Sequence, residues 1–242
     1  MSAPELIAGQ GDILLLCDHA SNAVPSGIAL GIAPDLLEKH IAIDIGAANL
    51  TRALASLLDA PAVLATVSRL VIDFNRDPDH PGLLPTSSDG HSIPGNVVAD
   101  RSGRIARFHA PYHDTLAAEI AAHGTRLLIA IHSFTPRLET DASARPWEAG
   151  VLYNRDTRAA HIALDLFRSA GIVTGDNQPY SGRLLNATLD RHGEGNDIPS
   201  VSIEIRNDLI DTSARVARWA DILAPILVET RNRLAQKGLS AT

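Results

Sequence analysis

The stretch Leu127-Leu128-Ile129-Ala130-Ile131-His132-Ser133 decides the fold of this chain, because five apolar residues lead directly into a histidine. Two further apolar runs end in a similar way. Residues 13–17 lead into Asp18-His19, and residues 201–203 lead into Glu204. Such runs, bounded by polar or turn residues, are typical of buried strands in a largely parallel sheet, where ligands gather at the carboxyl ends of the strands. The sequence therefore predicts that two histidines and a carboxylate meet at one edge of a sheet.

Strand-like runs alternate with segments of helical period along the rest of the chain. Further strands are predicted at residues 62–67 and 150–153, and helices at residues 50–58, 108–120 and 162–167. A last helix is predicted from about Ser213, behind Asp211 and Thr212 as candidate caps, with a kink at Pro225. This alternation predicts an α/β sandwich with helices on both faces of a largely parallel sheet, and mixed strand direction is the open alternative.

Composition limits the classes of partner. A chain of 242 residues with 45% hydrophobic content can bury a substantial core, and we expect residues 1–242 to form one domain. The net charge of -7 disfavours nucleic acid, and no apolar segment approaches the roughly 20 residues of a membrane helix. The start of the chain lacks the pattern of a secretory signal, and a single cysteine allows no internal disulfide. We therefore expect a cytoplasmic protein with a small-molecule ligand.

Two stretches rich in proline and glycine interrupt the alternation, at residues 77–103 and 175–199. Their frequent prolines and glycines argue against regular structure. Loops of this length are uncommon in compact domains and are more often lids or binding loops than connections without a function. We expect both to border the site, and the alternative is a surface elaboration that makes no contact with substrate.

Histidines at strand ends favour a metal site. A strand fixes the backbone of His19 and of His132, and neutral imidazole is a preferred zinc ligand. Catalytic zinc usually has three protein ligands, so a third is needed. The candidates are Asp44 and Asn22, and Asp44 is favoured because a carboxylate neutralises the cation better than an amide does. The alternative is that both histidines are core imidazoles bonded to backbone.

A second histidine pair, His109 and His113, has the spacing that places two rings on one helix face. No glutamate follows His109 as in the HExxH motif, and Pro111 indicates that the helix is only beginning there. We therefore interpret this pair as packing or as support for a substrate pocket, and a second metal site as the weaker alternative.

Glu204 is the candidate general base. Strand alternation places Glu204 on the same side as Ser202 and Arg206. A carboxylate beside a metal-activated water can accept its proton, because zinc lowers the pKa of bound water to about 7. The alternative is an ordinary ion pair with Arg206.

Two arginines flank an apolar stretch in Ser68-Arg69-Leu70-Val71-Ile72-Asp73-Phe74-Asn75-Arg76. A buried cation is costly without an anion, so each should have a partner. Arg76 offers the planar fork that binds a carboxylate with two bonds, Arg69 could polarise a carbonyl oxygen, and Asn75 could assist either. The alternative is that Arg69 pairs with Asp73, and Arg76 with a nearby aspartate, for structural reasons.

Taken in order, these motifs resemble the N-formylglutamate amidohydrolase family. The resemblance runs from about residue 12 to residue 211 and depends on six segments: Asp18-His19-Ala20-Ser21-Asn22, Asp44-Ile45-Gly46-Ala47, residues 68–76, Pro111-Tyr112-His113, residues 131–136, and Glu204-Ile205-Arg206. The chain is also similar, more distantly, to aspartoacylases and zinc carboxypeptidases. The resemblance implies a zinc carboxypeptidase-like fold, a three-layer α/β/α sandwich with a mixed, mostly parallel central sheet. It also implies one Zn²⁺ ion and amide hydrolysis of an acylated acidic amino acid.

The resemblance also implies roles for single residues. His19 and His132 match the zinc histidines of the wider group, Glu204 matches its catalytic glutamate, and Arg69 matches the arginine that polarises the scissile carbonyl. The substrate-binding residues it implies are Asn75, Arg76 and Tyr180. The wider group has a glutamate ligand three residues after its first histidine, where this chain has Asn22. The implied replacement is Asp44.

The sequence thus predicts a zinc-dependent amidohydrolase whose partner is a small N-acylated amino acid such as N-formyl-L-glutamate. Neither nucleic acid nor a membrane is expected as a partner, and a homo-oligomer is compatible with the sequence. Two alternatives remain: a binding protein that retains the carboxylate pocket without turnover, and a cysteine hydrolase that uses Cys17.

Overall fold

A seven-stranded sheet forms the centre of the computed structural model, which describes residues 3–141 and 143–239. The strand order is β1-β3-β2-β6-β9-β7-β8, and β4 and β5 form a separate hairpin. The strands are β1 (Glu5–Ile7), β2 (Ile13–Cys17), β3 (Ala62–Leu64), β4 (Ser87–Ser88), β5 (His91–Ser92), β6 (Leu127–Phe134), β7 (Ala149–Leu152), β8 (Thr174–Asp176) and β9 (Ser200–Arg206). The four strands from β3 to β9 in this order are parallel, whereas β1 runs antiparallel to β3 and β7 antiparallel to β9. The predicted mixed, mostly parallel sheet is confirmed.

The helices fall into long and short elements. The α-helices are α1 (Ala47–Leu58), α2 (Arg101–Arg104), α3 (Ala110–His123), α4 (Arg158–Ser169), α5 (Ala187–His192) and α6 (Ser213–Leu239). A π-helical turn, Ile105–His109, joins α2 to α3, and short 3-10 turns occur at Pro34–Glu38, Pro81–Leu83, Pro94–Asn96, Glu194–Asn196 and Asn207–Leu209. Among the described residues, no helix combines the length and the apolar character that crossing a membrane requires.

Alternation along the central strands builds two separate cores. Leu15 faces one core, which contains apolar residues of α1, α4 and α6. Leu14 and Leu16 face the other core, together with Phe108, Tyr112 of α3 and further apolar residues from the segment 63–93. Both faces of the sheet are therefore covered, and the predicted three-layer α/β/α arrangement is confirmed.

The predicted boundaries of helices and strands differ from the observed ones by up to four residues. Residue 213 begins α6 as predicted: the Thr212 side-chain oxygen accepts a bond from the Arg215 N–H at 3.4 Å. The helix predicted from residue 108 is α-helical only from Ala110, because Pro111 lacks the N–H that would continue the preceding turn. The strand predicted to reach residue 67 ends at Leu64.

The prediction that both proline- and glycine-rich stretches lack regular structure is wrong in part. Residues 77–103 contain the hairpin of β4 and β5 and the start of α2, and residues 175–199 contain α5. These elements are only two to six residues long, which is why an apolar period is not visible in the sequence.

Candidate active site

A cavity of about 260 Å³ opens near the carboxyl ends of the central parallel strands. His19 follows β2, whereas His132 on β6 and Glu204 on β9 are directly paired in the register of the two strands. The cavity is lined by the eight residues to which the family resemblance assigns a site role: His19, Asp44, Arg69, Asn75, Arg76, His132, Tyr180 and Glu204. Both irregular stretches also reach it, through Asp89 and Leu185.

His19, Asp44 and His132 form a buried donor set. Oδ2 of Asp44 lies 3.3 Å from Nδ1 of His19 and 2.9 Å from Nδ1 of His132. The two ring centroids are 5.0 Å apart, and one potential ligand atom from each residue lies within 4.8 Å of the others. Two imidazole nitrogens and a carboxylate oxygen are the donors of many three-ligand zinc sites, so this set could hold a metal ion.

A long-range backbone hydrogen bond places Asp44 against His19. The Asp44 N–H donates to the carbonyl of His19 at 3.1 Å, and α1 begins three residues later, at Ala47. Gly46, between them, has φ +81°, and a Cβ atom there would overlap the carbonyl oxygen of Ile210. Only glycine fits both the positive φ and the close approach, so the direction of Asp44 depends on it.

Two further carboxylates lie behind the histidines. Nε2 of His19 is 2.8 Å from Oδ1 of Asp73, and Nε2 of His132 is 3.5 Å from Oδ2 of Asp18. Asp18 in turn accepts a bond from the hydroxyl of Tyr112 at 2.8 Å. Carboxylates in this position fix the ring orientation of metal-binding histidines. Sequence reasoning assigned no such role to Asp18 or Asp73, although Asp18 directly precedes His19 in the chain.

Carboxylates in and behind the donor set concentrate negative charge. Burial alone would favour the protonated form of Asp44, yet the charges of His19 and His132 and their bonds to it hold the pKa of Asp44 well below its usual range. Burial likewise opposes protonation of His132, but the carboxylates of Asp18 and Asp44 beside it raise the pKa of that imidazole well above its usual value. The carboxylates therefore remain ionised and draw positive charge to the cluster. A divalent cation would replace the protons on the imidazoles, since metal binding requires the neutral rings.

Asn22, the other candidate for third ligand, lies outside this set. Its amide nitrogen donates to Oε1 of Glu38 at 3.0 Å, and Asn22 is not among the residues that line the cavity. Asp44, and not Asn22, therefore lies together with His19 and His132.

Glu204 brings a buried carboxylate to the cavity. The residue is 6% exposed, and its Oε2 atom makes no hydrogen bond within the described part of the chain. The alternative ion pair with Arg206 does not form, because the Arg206 guanidinium bonds to Asp208 at 2.8 Å. Burial raises the pKa of Glu204 to about 7, against the opposing charge of His132. A carboxylate with this pKa can accept and release a proton near neutral pH.

The two arginines of the cavity differ in their partners. Arg69 donates to Asp44 at 3.3 Å and to Asp73 at 2.8 Å, so the structural alternative for Arg69 is seen, although three of its five N–H donors stay available. Arg76 donates to the carbonyl of Asn75 at 2.6 Å and has no carboxylate partner among the described residues. Arg76 is therefore the cation that a substrate carboxylate could pair with.

Asn75 and Tyr180 complete the predicted set. The Asn75 side-chain oxygen accepts from the N–H of Thr188 at 3.1 Å, and its amide donates to the carbonyl of Leu185 at 3.4 Å. Asn75 thus lines the cavity while its amide holds residues 185–188. The Tyr180 oxygen accepts a bond from Arg145 at 3.0 Å, which leaves its own O–H as a donor.

Cys17 lies away from this chemistry. Its side chain is completely buried in the core beside α1 and is not among the cavity residues. Burial raises the pKa of the thiol well above its usual value, which suppresses the thiolate that a nucleophile needs. The geometry thus disfavours the cysteine hydrolase.

Comparisons with known proteins identify the family and the fold of this chain. The sequence model of the N-formylglutamate amidohydrolase family matches residues 11–211. The crystal structure of gene product Atu2144 from Agrobacterium tumefaciens is 33% identical, with a TM-score of 0.91 over 97% of each chain. The structure of N-formylglutamate amidohydrolase from Ralstonia eutropha JMP134 is 18% identical, with a TM-score of 0.70 over 98% of this chain and 100% of that chain, a likeness of fold alone. No curated protein matches the chain.

Proposed function

Because this chain belongs to the N-formylglutamate amidohydrolase family, we propose that it hydrolyses the amide bond of an N-formyl or N-acyl amino acid in a zinc-dependent reaction. The proposed substrate class is an acylated acidic amino acid such as N-formyl-L-glutamate. One observation is the main support: the buried donor set of His19, Asp44 and His132 lies in the same cavity as the unpaired carboxylate of Glu204.

His19, Asp44 and His132 would hold the ion. The donor set fits zinc in chemistry, because two nitrogens and one oxygen leave a coordination position open. It also fits in its surroundings, because Asp73 and Asp18 face the remaining ring nitrogens. When bound, zinc supplies Lewis acidity, which lowers the pKa of water and polarises a carbonyl oxygen.

Glu204 moves the proton in this proposal. Its carboxylate takes a proton from the attacking water, and the water oxygen forms a bond to the carbonyl carbon of the acyl group. The same carboxyl then returns the proton to the amide nitrogen as the C–N bond breaks, which releases a carboxylate and a free amine. A pKa of about 7 suits both directions, because neither the acid nor the base form is scarce at neutral pH.

Arg69 and Arg76 have separate tasks in the proposal. Arg69 retains free N–H donors beside the donor set, where they stabilise the negative charge that develops on the carbonyl oxygen. Arg76 binds a carboxylate of the substrate, since it lacks an acidic partner within the described chain. Tyr180, which lines the same cavity from the stretch 175–199, donates its O–H to the substrate.

The test is amine release from a panel of N-formyl and N-acetyl amino acids, with metal analysis of the same preparation. We expect stoichiometric zinc, highest turnover with acidic amino acids, loss of activity with a chelator and recovery when Zn²⁺ is added. A thiol reagent should leave activity unchanged. Binding of N-formyl-L-glutamate without amine release would instead favour the non-catalytic alternative, and activity that survives complete metal removal would refute the zinc assignment.

A further inference from the structure

Three buried histidines form a row behind the cavity. His109 precedes α3, His113 lies in its first turn, and His192 ends α5; each is no more than 3% exposed. Nδ1 of His113 is 2.9 Å from Nε2 of His192, and Nε2 of His113 is 3.1 Å from Nε2 of His109. None of the three belongs to the donor set or lines the cavity.

Backbone carbonyls, rather than a metal, face this histidine row. Nε2 of His113 is 3.1 Å from the carbonyl oxygen of Phe74, and Nε2 of His109 is 3.0 Å from that of Arg76. The ring nitrogens thus follow one another in a line. The three rings do not converge on a common point as metal ligands do, and no cation site is found among them within the described residues.

The carbonyls determine where the protons lie. A carbonyl only accepts hydrogen bonds, so the bonds to Phe74 and Arg76 place a proton on Nε2 of His113 and on Nε2 of His109. The 3.1 Å contact between these two nitrogens then joins two donors and is not itself a hydrogen bond. Nδ1 of His113 is then an acceptor, and His192 donates to it from Nε2. Burial lowers the pKa of His113 to about 3 and that of His192 to about 4, so both rings are neutral at neutral pH, as this pattern requires.

The bonds converge on one short segment. Phe74 and Arg76 each have their carbonyl held by a histidine, while Asn75 between them is held through its side chain by Leu185 and by Thr188. The guanidinium of Arg76 folds back onto the carbonyl of Asn75 at 2.6 Å. The direction of this guanidinium therefore depends on a backbone that the histidine row fixes from behind.

We propose that His109 is a positioning residue for Arg76, and that the histidine row is the device that fixes residues 74–76 in the orientation in which Arg76 binds a substrate carboxylate. The inference rests on the proposed function, since it assigns Arg76 that role. The segment has no helix or strand of its own, so its carbonyls need partners from elsewhere. The Phe74 carbonyl also accepts a bond from the Thr188 hydroxyl at 3.2 Å, whereas His109 is the partner of the Arg76 carbonyl among the described residues.

The decisive variant is His109→Phe, which keeps a flat ring beside Phe74, where the native rings stack with centroids 6.3 Å apart, but removes the donor. We expect KM for N-formyl-L-glutamate to rise about tenfold, with kcat within about twofold of the native value, since one buried hydrogen bond is lost. His109→Gln can still donate and should recover most of the loss. His123→Phe, at the other end of α3, is the matched control and should behave as the native enzyme.

The choice of substrate separates positioning from general damage. Replacing the substrate carboxylates by carboxamides removes the partner of Arg76, so His109→Phe and the native enzyme should hydrolyse that analogue equally. Equal losses on both substrates, or a KM unchanged for the glutamate substrate, would overturn the proposal.

A readout without catalysis keeps this inference distinct from the proposed function. Nitrogen NMR of the native protein with labelled histidine should show His109, His113 and His192 as neutral rings protonated on Nε2 at pH 7. A His113 ring protonated on Nδ1 or on both nitrogens would contradict the histidine row. Native protein that hydrolyses no N-acyl amino acid would refute the proposed function but not this inference. The NMR result would still test the histidine row, and a crystal structure of His109→Phe with Arg76 in its native orientation would refute the positioning role of His109.

Discussion

Glu204→Gln is expected to stabilise the metal-free protein while it removes activity. The glutamine has nearly the shape of the glutamate but no charge. In the fold, burial raises the pKa of Glu204 from its usual 4.5 to about 7, so the ionised carboxylate costs about 3 kcal/mol relative to the protonated one. Glutamine avoids this cost, and it cannot accept a proton from water.

The sign of the pH dependence follows from proton binding. Between pH 4.5 and 7 the folded protein binds the Glu204 proton more tightly than the unfolded chain does, so the stability of the native protein falls as pH rises through that range. The stability of the Glu204→Gln variant does not fall in this way, because glutamine does not titrate. Above pH 7 its free energy of unfolding should exceed the native value by about 3 kcal/mol, which corresponds to about 6 to 12 °C in Tm for a chain of this size. Near pH 4.5 the difference should almost vanish.

The assay is thermal unfolding of chelator-treated native and variant protein at pH 4.5 and pH 8, together with turnover of the zinc-loaded forms. Turnover should fall by about 10²-fold or more, as for a lost general base. Glu229→Gln, which removes a half-exposed carboxylate of α6 that is paired with Arg233, controls for the loss of one charge. A Tm difference that is the same at both pH values would refute the burial argument, and turnover within tenfold of native would refute the general base.

Three further outcomes are expected. Asp73→Asn should weaken zinc binding by about 10- to 100-fold, because it removes the carboxylate that lies behind His19. The control Asp79→Asn, on the surface, should leave zinc affinity unchanged. Competition with a chromophoric chelator measures both affinities, and equal values would exclude Asp73 from the site. Arg76→Ala should raise KM for a carboxylate substrate with a smaller change in kcat, and an unchanged kcat/KM would remove Arg76 from the pocket. Gly46→Ala should destabilise the fold by about 1 to 3 kcal/mol, because residue 46 has φ +81° and the added Cβ would overlap the carbonyl of Ile210. Urea unfolding measures the difference, and native stability in the variant would contradict the strain.

Much of the fold was predictable because its signals are local. The apolar runs that become β2, β6 and β9 are continuous in sequence, and their period identifies buried strands without knowledge of their partners. Parallel strands end at one edge of the sheet, so the meeting of His19, His132 and Glu204 was predictable too. Elements of two to six residues, such as β4 and α5, were missed because they are shorter than the patterns that reveal strands and helices.

The sequence by itself determined which chemical groups this protein brings to the edge of its sheet. Only the tertiary structure decided how those groups are paired: His19 with Asp73, 54 residues away, and Asn75 with Thr188, 113 residues away. Arg206 could have bonded Glu204 by its place on the strand, yet it bonds Asp208 and leaves the candidate base free. The physical reason is that a periodic pattern reports which face a residue occupies, whereas hydrogen bonds and ion pairs depend on distances of a few ångströms that packing alone sets.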